Sequence, residues 1–129
     1  GIERGFENFH IFGGTGGRTD HTIANIQCLT YLAQNNMKGF IYTENEIMTV
    51  IHNSSICFDA SMKGYISVFS LDTESKGVTE TGMKYSIDNY TMKNNFPIGV
   101  SNEFTGKNSS ISVLDGTLLI VYPRVFNNI

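Results

Sequence analysis

Residues 11–26, IFGGTGGRTDHTIANI, place four glycines in five positions between a short apolar run and a stretch of helical period. Glycine costs more backbone entropy than any other residue. A cluster this dense therefore belongs where the chain takes positive φ or something approaches it closely. Ahead of it, FHIF (9–12) has the continuous apolar character of a buried parallel strand. Behind it, Thr19 or Asp20 can cap a helix, because their side-chain oxygens accept from the free N–H groups of a first turn. Ile23, Ile26, Leu29 and Ala33 then recur at three- and four-residue steps as one apolar stripe, and Asn35 and Asn36 end it.

Strand, glycines and helix in this order have two physical uses. One is a phosphate cradle, in which the free N–H groups and the positive end of the helix dipole face an anion. Arg18 adds a planar charged fork that suits phosphate oxygens. The other is a tight turn that lets strand and helix pack closely. The stretch is not G-x-G-x-x-G, and G-x-x-x-x-G-K-[ST] occurs nowhere in the chain. On the residues alone both uses stay open.

From about residue 38 the texture changes to β. Residues 39–43, 46–51, 54–60 and 65–71 are rich in β-branched and aromatic side chains. Residues 109–114 and 117–122 flank Asp115 and Gly116, a dipeptide expected to form a type I′ hairpin turn. Many short strands with turn residues between them predict a mainly β chain, a C-terminal β-sandwich preceded by the strand–turn–helix. One strand and one helix are too little for an independent α/β layer. Residues 1–37 are therefore expected to be the tail of a larger α/β domain, and 38–129 the sandwich.

The chain has 129 residues, 40% hydrophobic and 16% charged, which suits one compact domain. Its formal net charge of −3 argues against non-specific binding to nucleic acid or to an anionic membrane. No apolar run has the roughly 20 residues that span a bilayer, and residues 1–9 lack the pattern of a signal peptide. A cytoplasmic protein is expected, with Cys28 and Cys57 as buried, reduced thiols. His10 and His52 have no ligand-like spacing to each other or to the cysteines, so no zinc site is expected.

Three stretches can carry chemistry. His21 follows Asp20 in the first helical turn, where it can orient a substrate or simply complete the cap. In 77–87 and 98–104, the small polar residues Thr79, Thr81, Ser101 and Asn102 accompany the aromatic Tyr85. Such a set can line a pocket for a planar polar heterocycle, and it is equally ordinary for strands and turns.

Taken together and in order, GGTGGRTDHTIANIQCL, VTETGMKYSI and GVSNEF resemble the C-terminal part of thiamine pyrophosphokinase. That family shows a G-G-x-G-G-R-x-D-H-x-x-A-N-I-like segment, then T-G-L-K-Y/W, then S-N-E. The resemblance runs from about Phe9 to Tyr122. It implies an N-terminal α/β domain for ATP and Mg²⁺ followed by a thiamine-binding β-sandwich, in a homodimer whose active site lies between subunits. It implies transfer of the pyrophosphoryl group of ATP to the thiamine hydroxyl, releasing AMP. On this reading residues 1–37 end the ATP-binding domain and 38–129 bind thiamine.

Carried over by position, Gly14, Thr15, Gly16, Gly17 and Arg18 would lie beside the ATP phosphates, with Asp20 and His21 near the reacting groups. Thr79 and Tyr85 would meet the thiamine pyrimidine, with Tyr85 where some members place Trp, and Ser101 and Asn102 close by. The family's G-D-x-D-S segment, which holds Mg²⁺, has no counterpart here, since Asp20, Asp59, Asp72, Asp88 and Asp115 are scattered. Pyrophosphoryl transfer depends on metal charge neutralisation, so this chain is expected to be an inactive piece of the enzyme. The competing expectation is a non-catalytic β-sandwich that binds a heterocycle or dimerises.

Overall fold

A computed structural model describes residues 8–12 and 19–124. Strand β1 (Asn8–Phe12) is followed by helix α1 (Thr19–Gln34) and then by β2 (Lys38–Tyr42), β3 (Glu46–His52), β4 (Ser55–Phe58) and β5 (Tyr65–Ser70). The chain continues through β6 (Glu74–Thr81), β7 (Ile87–Lys93), β8 (Asn102–Glu103), β9 (Ser109–Ser112) and β10 (Thr117–Pro123). Six strands form one sheet in the order β1-β2-β3-β10-β5-β8, and four form a second in the order β4-β9-β6-β7. The chain is mainly β, as its texture predicts.

The sheets face each other, and α1 covers the far side of the larger one. Strand β10 shows the arrangement residue by residue. Leu118, Ile120 and Tyr122 enter the core between the sheets, while Leu119 and Val121 pack with the cluster under α1. A strand buried on both faces needs an unbroken apolar run rather than alternation; TLLIVY is such a run. The helix contributes Leu29, only 1% exposed, and Ala33 to its cluster with Ile41, Met48, Val50 and Leu119. It can lie this close because β2 carries Gly39, where a Cβ would stand 2.7 Å from Leu29 and Leu32 side-chain carbons.

The helix ends where expected and by a defined device. Met37 N–H donates to the Leu32 carbonyl (2.9 Å) and Asn36 N–H to that of Ala33 (3.1 Å), with Asn36 at φ 60°. This is the Schellman pattern, which satisfies carbonyls left over by the last turn. At the other end, Thr19 and Asp20 are already helical rather than capping from outside.

Several expectations are corrected. Asp115 and Gly116 do not turn a hairpin: β9 pairs with β4 and β6 in one sheet, β10 with β3 and β5 in the other. The dipeptide instead carries the chain from sheet to sheet. A Cβ at Gly116 would meet the Ser75 backbone at 2.6 Å, so the glycine answers close approach. Strand β1 does pair parallel with β2, but it is an edge strand of the described sheet and not buried, with Phe12 64% exposed. The helical stripe is buried only in its second half, since Ile23 is exposed. Cys28 and Cys57 are free thiols, both exposed rather than buried: one looks out from α1, the other from the outer face of β4. Strands β6, β7 and β8 escape the sequence reading.

Candidate functional site

The polar stretch 77–87 is mostly the end of β6 and the loop after it. Strand β6 alternates, with Val78 and Glu80 buried and Thr79 and Thr81 turned toward the outer face. Gly82 then breaks the strand with φ 76°; a Cβ there would collide with the Asn108 carbonyl oxygen and lie 2.9 Å from Ser109 Cα. Only glycine meets both demands. Thr105 Oγ1 donates to the Gly82 carbonyl (2.9 Å), and Lys84 N–H donates to that of Glu103 (2.9 Å). The loop is thereby laid beside β8.

Asn102, 4% exposed, holds the end of that loop. Its Oδ1 accepts from the N–H of Tyr85 (3.0 Å) and of Glu103 (2.9 Å). Its Nδ2 donates to the Tyr85 carbonyl (2.8 Å) and to Glu80 Oε1 (3.1 Å). The Tyr85 ring itself projects outward, 61% exposed, with the Lys84 ammonium 5.5 Å from its centroid. Lys84 also pairs with Glu103 at 3.9 Å. Screening by solvent makes that pair worth little energy, but it keeps positive charge beside the ring.

Ser101 sits next to this clamp at φ 60°, its N–H donating to Ser67 Oγ at 3.0 Å. Tyr85, Ser101 and Asn102 are thus brought together. Thr79 is not among them. It lies on the outer face of β6 opposite Ser112, and its Oγ1 accepts from Asn89 N–H at 3.2 Å. A cleft of about 700 Å³ opens elsewhere, between the end of α1 and β3, and none of these four residues lines it.

Asp20 and His21 occupy the first turn of α1, exposed, with His21 N–H donating to Asp20 Oδ1 at 3.0 Å. A carboxylate here suits the positive end of the helix dipole. Gly14, Thr15, Gly16, Gly17 and Arg18 lie outside the described residues. Just ahead of them, Phe12 stacks on Tyr42 with centroids 4.6 Å apart, and the Arg124 guanidinium lies 5.3 Å from the Tyr42 ring.

The residue that sequence reasoning missed is Glu80, wholly buried with Oε2 making no hydrogen bond among the described residues. Burial pushes its carboxyl above the ordinary carboxylate range, and the hydrogen bond from Asn102 opposes this in part. The signal was present. Period-two alternation puts Glu80 on the same face as Val78, but the polar character of 77–87 does not mark it as a strand. Among the described residues no three His, Cys, Asp or Glu side chains gather to hold a metal ion. The acidic side chains among the described residues are too scattered to fit Mg²⁺. No helix among the described residues is long and apolar enough to cross a membrane.

Comparison with known proteins gives this site a context. Thiamine pyrophosphokinase of Bacillus subtilis is 29% identical over 121 residues, which are 93% of this chain and 56% of that protein. The chain thus spans little more than half the length of that relative. A crystal structure of the B. subtilis enzyme superposes with a TM-score of 0.87 at 25% identity, covering 97% of this chain and 59% of the other. The thiamin pyrophosphokinase of Geobacillus thermodenitrificans shares the fold with a TM-score of 0.81 at 24% identity, over 99% and 59% of the two chains. The profile of the family described as thiamin pyrophosphokinase, vitamin B1 binding domain, matches residues 53–118, a span that takes in β6, the Tyr85 loop and Asn102. The chain belongs to the thiamin pyrophosphokinase family through its vitamin B1 binding domain.

Proposed function

We propose that this chain forms the thiamine side of a thiamine pyrophosphokinase, which transfers the pyrophosphoryl group of ATP to thiamine. The thiamine hydroxyl oxygen would form a bond to the β-phosphorus while the bond from that phosphorus to the AMP oxygen breaks. The hydroxyl proton passes to a base, and AMP leaves. The observation that carries this reading is the solvent-exposed Tyr85 ring, on a main chain fixed by the Asn102 clamp, inside a vitamin B1 binding domain. An aromatic face beside an electron-poor cationic heterocycle gains about 0.5–1.5 kcal/mol beyond area burial.

The remaining roles belong to the same proposal. Ser101 lies beside the heterocycle, and Thr79 lines its approach from the outer sheet face. Gly14, Thr15, Gly16, Gly17 and Arg18 receive the ATP phosphates, with Asp20 and His21 at the same helix end. Residues 1–37 belong with the ATP-binding domain and 38–129 with the thiamine-binding one. Mg²⁺ would be held by acidic residues of the enzyme outside this chain, and two copies would complete the active site.

Calorimetric titration of the chain and of the full-length protein with thiamine tests the reading. Thiamine binding by the full-length protein with turnover of ATP to AMP is the expected result. Binding without any ATP turnover would make the sandwich a heterocycle-binding module only. No thiamine binding by the full-length protein would overturn the proposal.

A further inference from the structure

We propose that Glu80 is a positioning residue for the thiamine pocket, holding the Asn102 amide that fixes both main-chain groups of Tyr85. This rests on the thiamine reading above and adds to it a residue that never touches the ligand. Glu80 points from β6 into the core between the sheets, 0% exposed, with Val78 on the same strand face. A carboxyl in such a place costs stability, the more so with Oε2 lacking a partner among the described residues. An apolar residue of similar volume would be as good or better for the core alone. Its presence therefore calls for a task other than filling space.

Asn102 supplies that task. Its amide has two ends, acceptor and donor, that differ little in shape. The Tyr85 and Glu103 N–H groups need the oxygen end; the Tyr85 carbonyl needs the nitrogen end. Glu80 Oε1 sits 3.1 Å from Nδ2 and accepts from it. An acceptor there favours the amide orientation that serves Tyr85. The reversed amide would set its oxygen against Glu80 and the Tyr85 carbonyl, and its NH₂ against two N–H donors. The strand is shaped for this contact: register shifts against β7 fall on both sides of Val78, with Gly77 at φ 68° and Asn89 at φ 47°. Bulges of this kind re-aim side chains.

The test is thiamine titration of the full-length protein carrying Glu80→Leu or Glu80→Gln, with ATP affinity measured alongside. Glu80→Leu is expected to weaken thiamine binding about tenfold and leave ATP binding unchanged, and Glu80→Gln, whose amide oxygen still accepts, to restore it. Undiminished thiamine binding in Glu80→Leu overturns the inference alone. Equal losses of thiamine and ATP affinity overturn it as well, since they mark a general fold defect. No thiamine binding by the unmodified protein overturns the functional reading and this inference with it. Should Glu80→Leu not fold, Glu80→Met, which is unbranched and offers no strong acceptor, takes its place: weakened thiamine binding with unchanged ATP binding supports the inference, and undiminished thiamine binding overturns it.

Discussion

The side chain of Asn102 binds both main-chain groups of Tyr85, accepting from its N–H at 3.0 Å and donating to its carbonyl at 2.8 Å. A side-chain amide thus does for a loop residue what a neighbouring strand does for a ladder residue. The tyrosine backbone is fixed while its ring stays free to meet a ligand. Truncation at Asn102→Ala would leave those groups and the Glu80 carboxyl without that partner. It should lower stability by about 2–3 kcal/mol in urea unfolding, the cost of orphaning buried polar groups. A loss below about 0.5 kcal/mol would mean that the clamp holds nothing.

Tyr85→Ala should behave in the opposite way. The ring is 61% exposed, so stability should change by no more than about 0.5 kcal/mol. Thiamine affinity should fall roughly 3- to 10-fold, the equivalent of the stacking increment, while Tyr85→Phe keeps most of it. Calorimetry on both variants checks this. Affinity untouched by Tyr85→Ala would remove the ring from the pocket.

Glu80 should make stability depend on pH in a specific direction. Burial raises its carboxyl above the ordinary value of 4.5, so the folded chain holds the proton more tightly than the unfolded one. The resulting stability is fully present below 4.5 and is lost as pH rises through the raised value. Glu80→Gln cannot ionise and escapes that loss. The Tm of Glu80→Gln relative to the unmodified protein should therefore climb from acid to neutral pH. A difference that stays constant with pH would show that Glu80 titrates as an ordinary carboxyl.

At Gly82 both the φ of 76° and the contact with the Asn108 carbonyl resist any side chain. Backbone, unlike a flexible side-chain end, cannot swing aside. Gly82→Ala should cost about 1–3 kcal/mol and displace the loop that carries Tyr85, with weaker thiamine binding as the second readout. Gly106, at φ 78° with open space around it, provides the control. Gly106→Ala carries the backbone strain alone and should leave thiamine affinity unchanged.

Much of the fold was legible because single strands speak through their own residues. The runs GFIYT, EIMTVI and TLLIVY announce their strands through β-branched and aromatic content, although only the structure shows that TLLIVY is buried on both faces. Strands β6 and β7 are hard to read because few of their buried positions are apolar: β6 buries Ser75, Gly77 and Glu80 beside Val78, and β7 buries only Met92. The Asp115 and Gly116 pair misled because a dipeptide reports only local turn preference. Which strand a segment pairs with depends on residues dozens of positions away. The ordered motifs, by contrast, carry the family resemblance in the sequence alone.

The sequence by itself determined the strands rich in β-branched and aromatic residues, the helix and its Asn36 terminus, and the family, since each rests on neighbouring residues or on ordered motifs. Only the tertiary structure decided which polar residues face each other. Glu80 and Asn102 are 22 positions apart and meet because β6 and β8, in different sheets, turn these side chains into the same core. A local pattern holds no information about that meeting. It arises from sheet packing, which sets where an inward-facing polar group finds its partner.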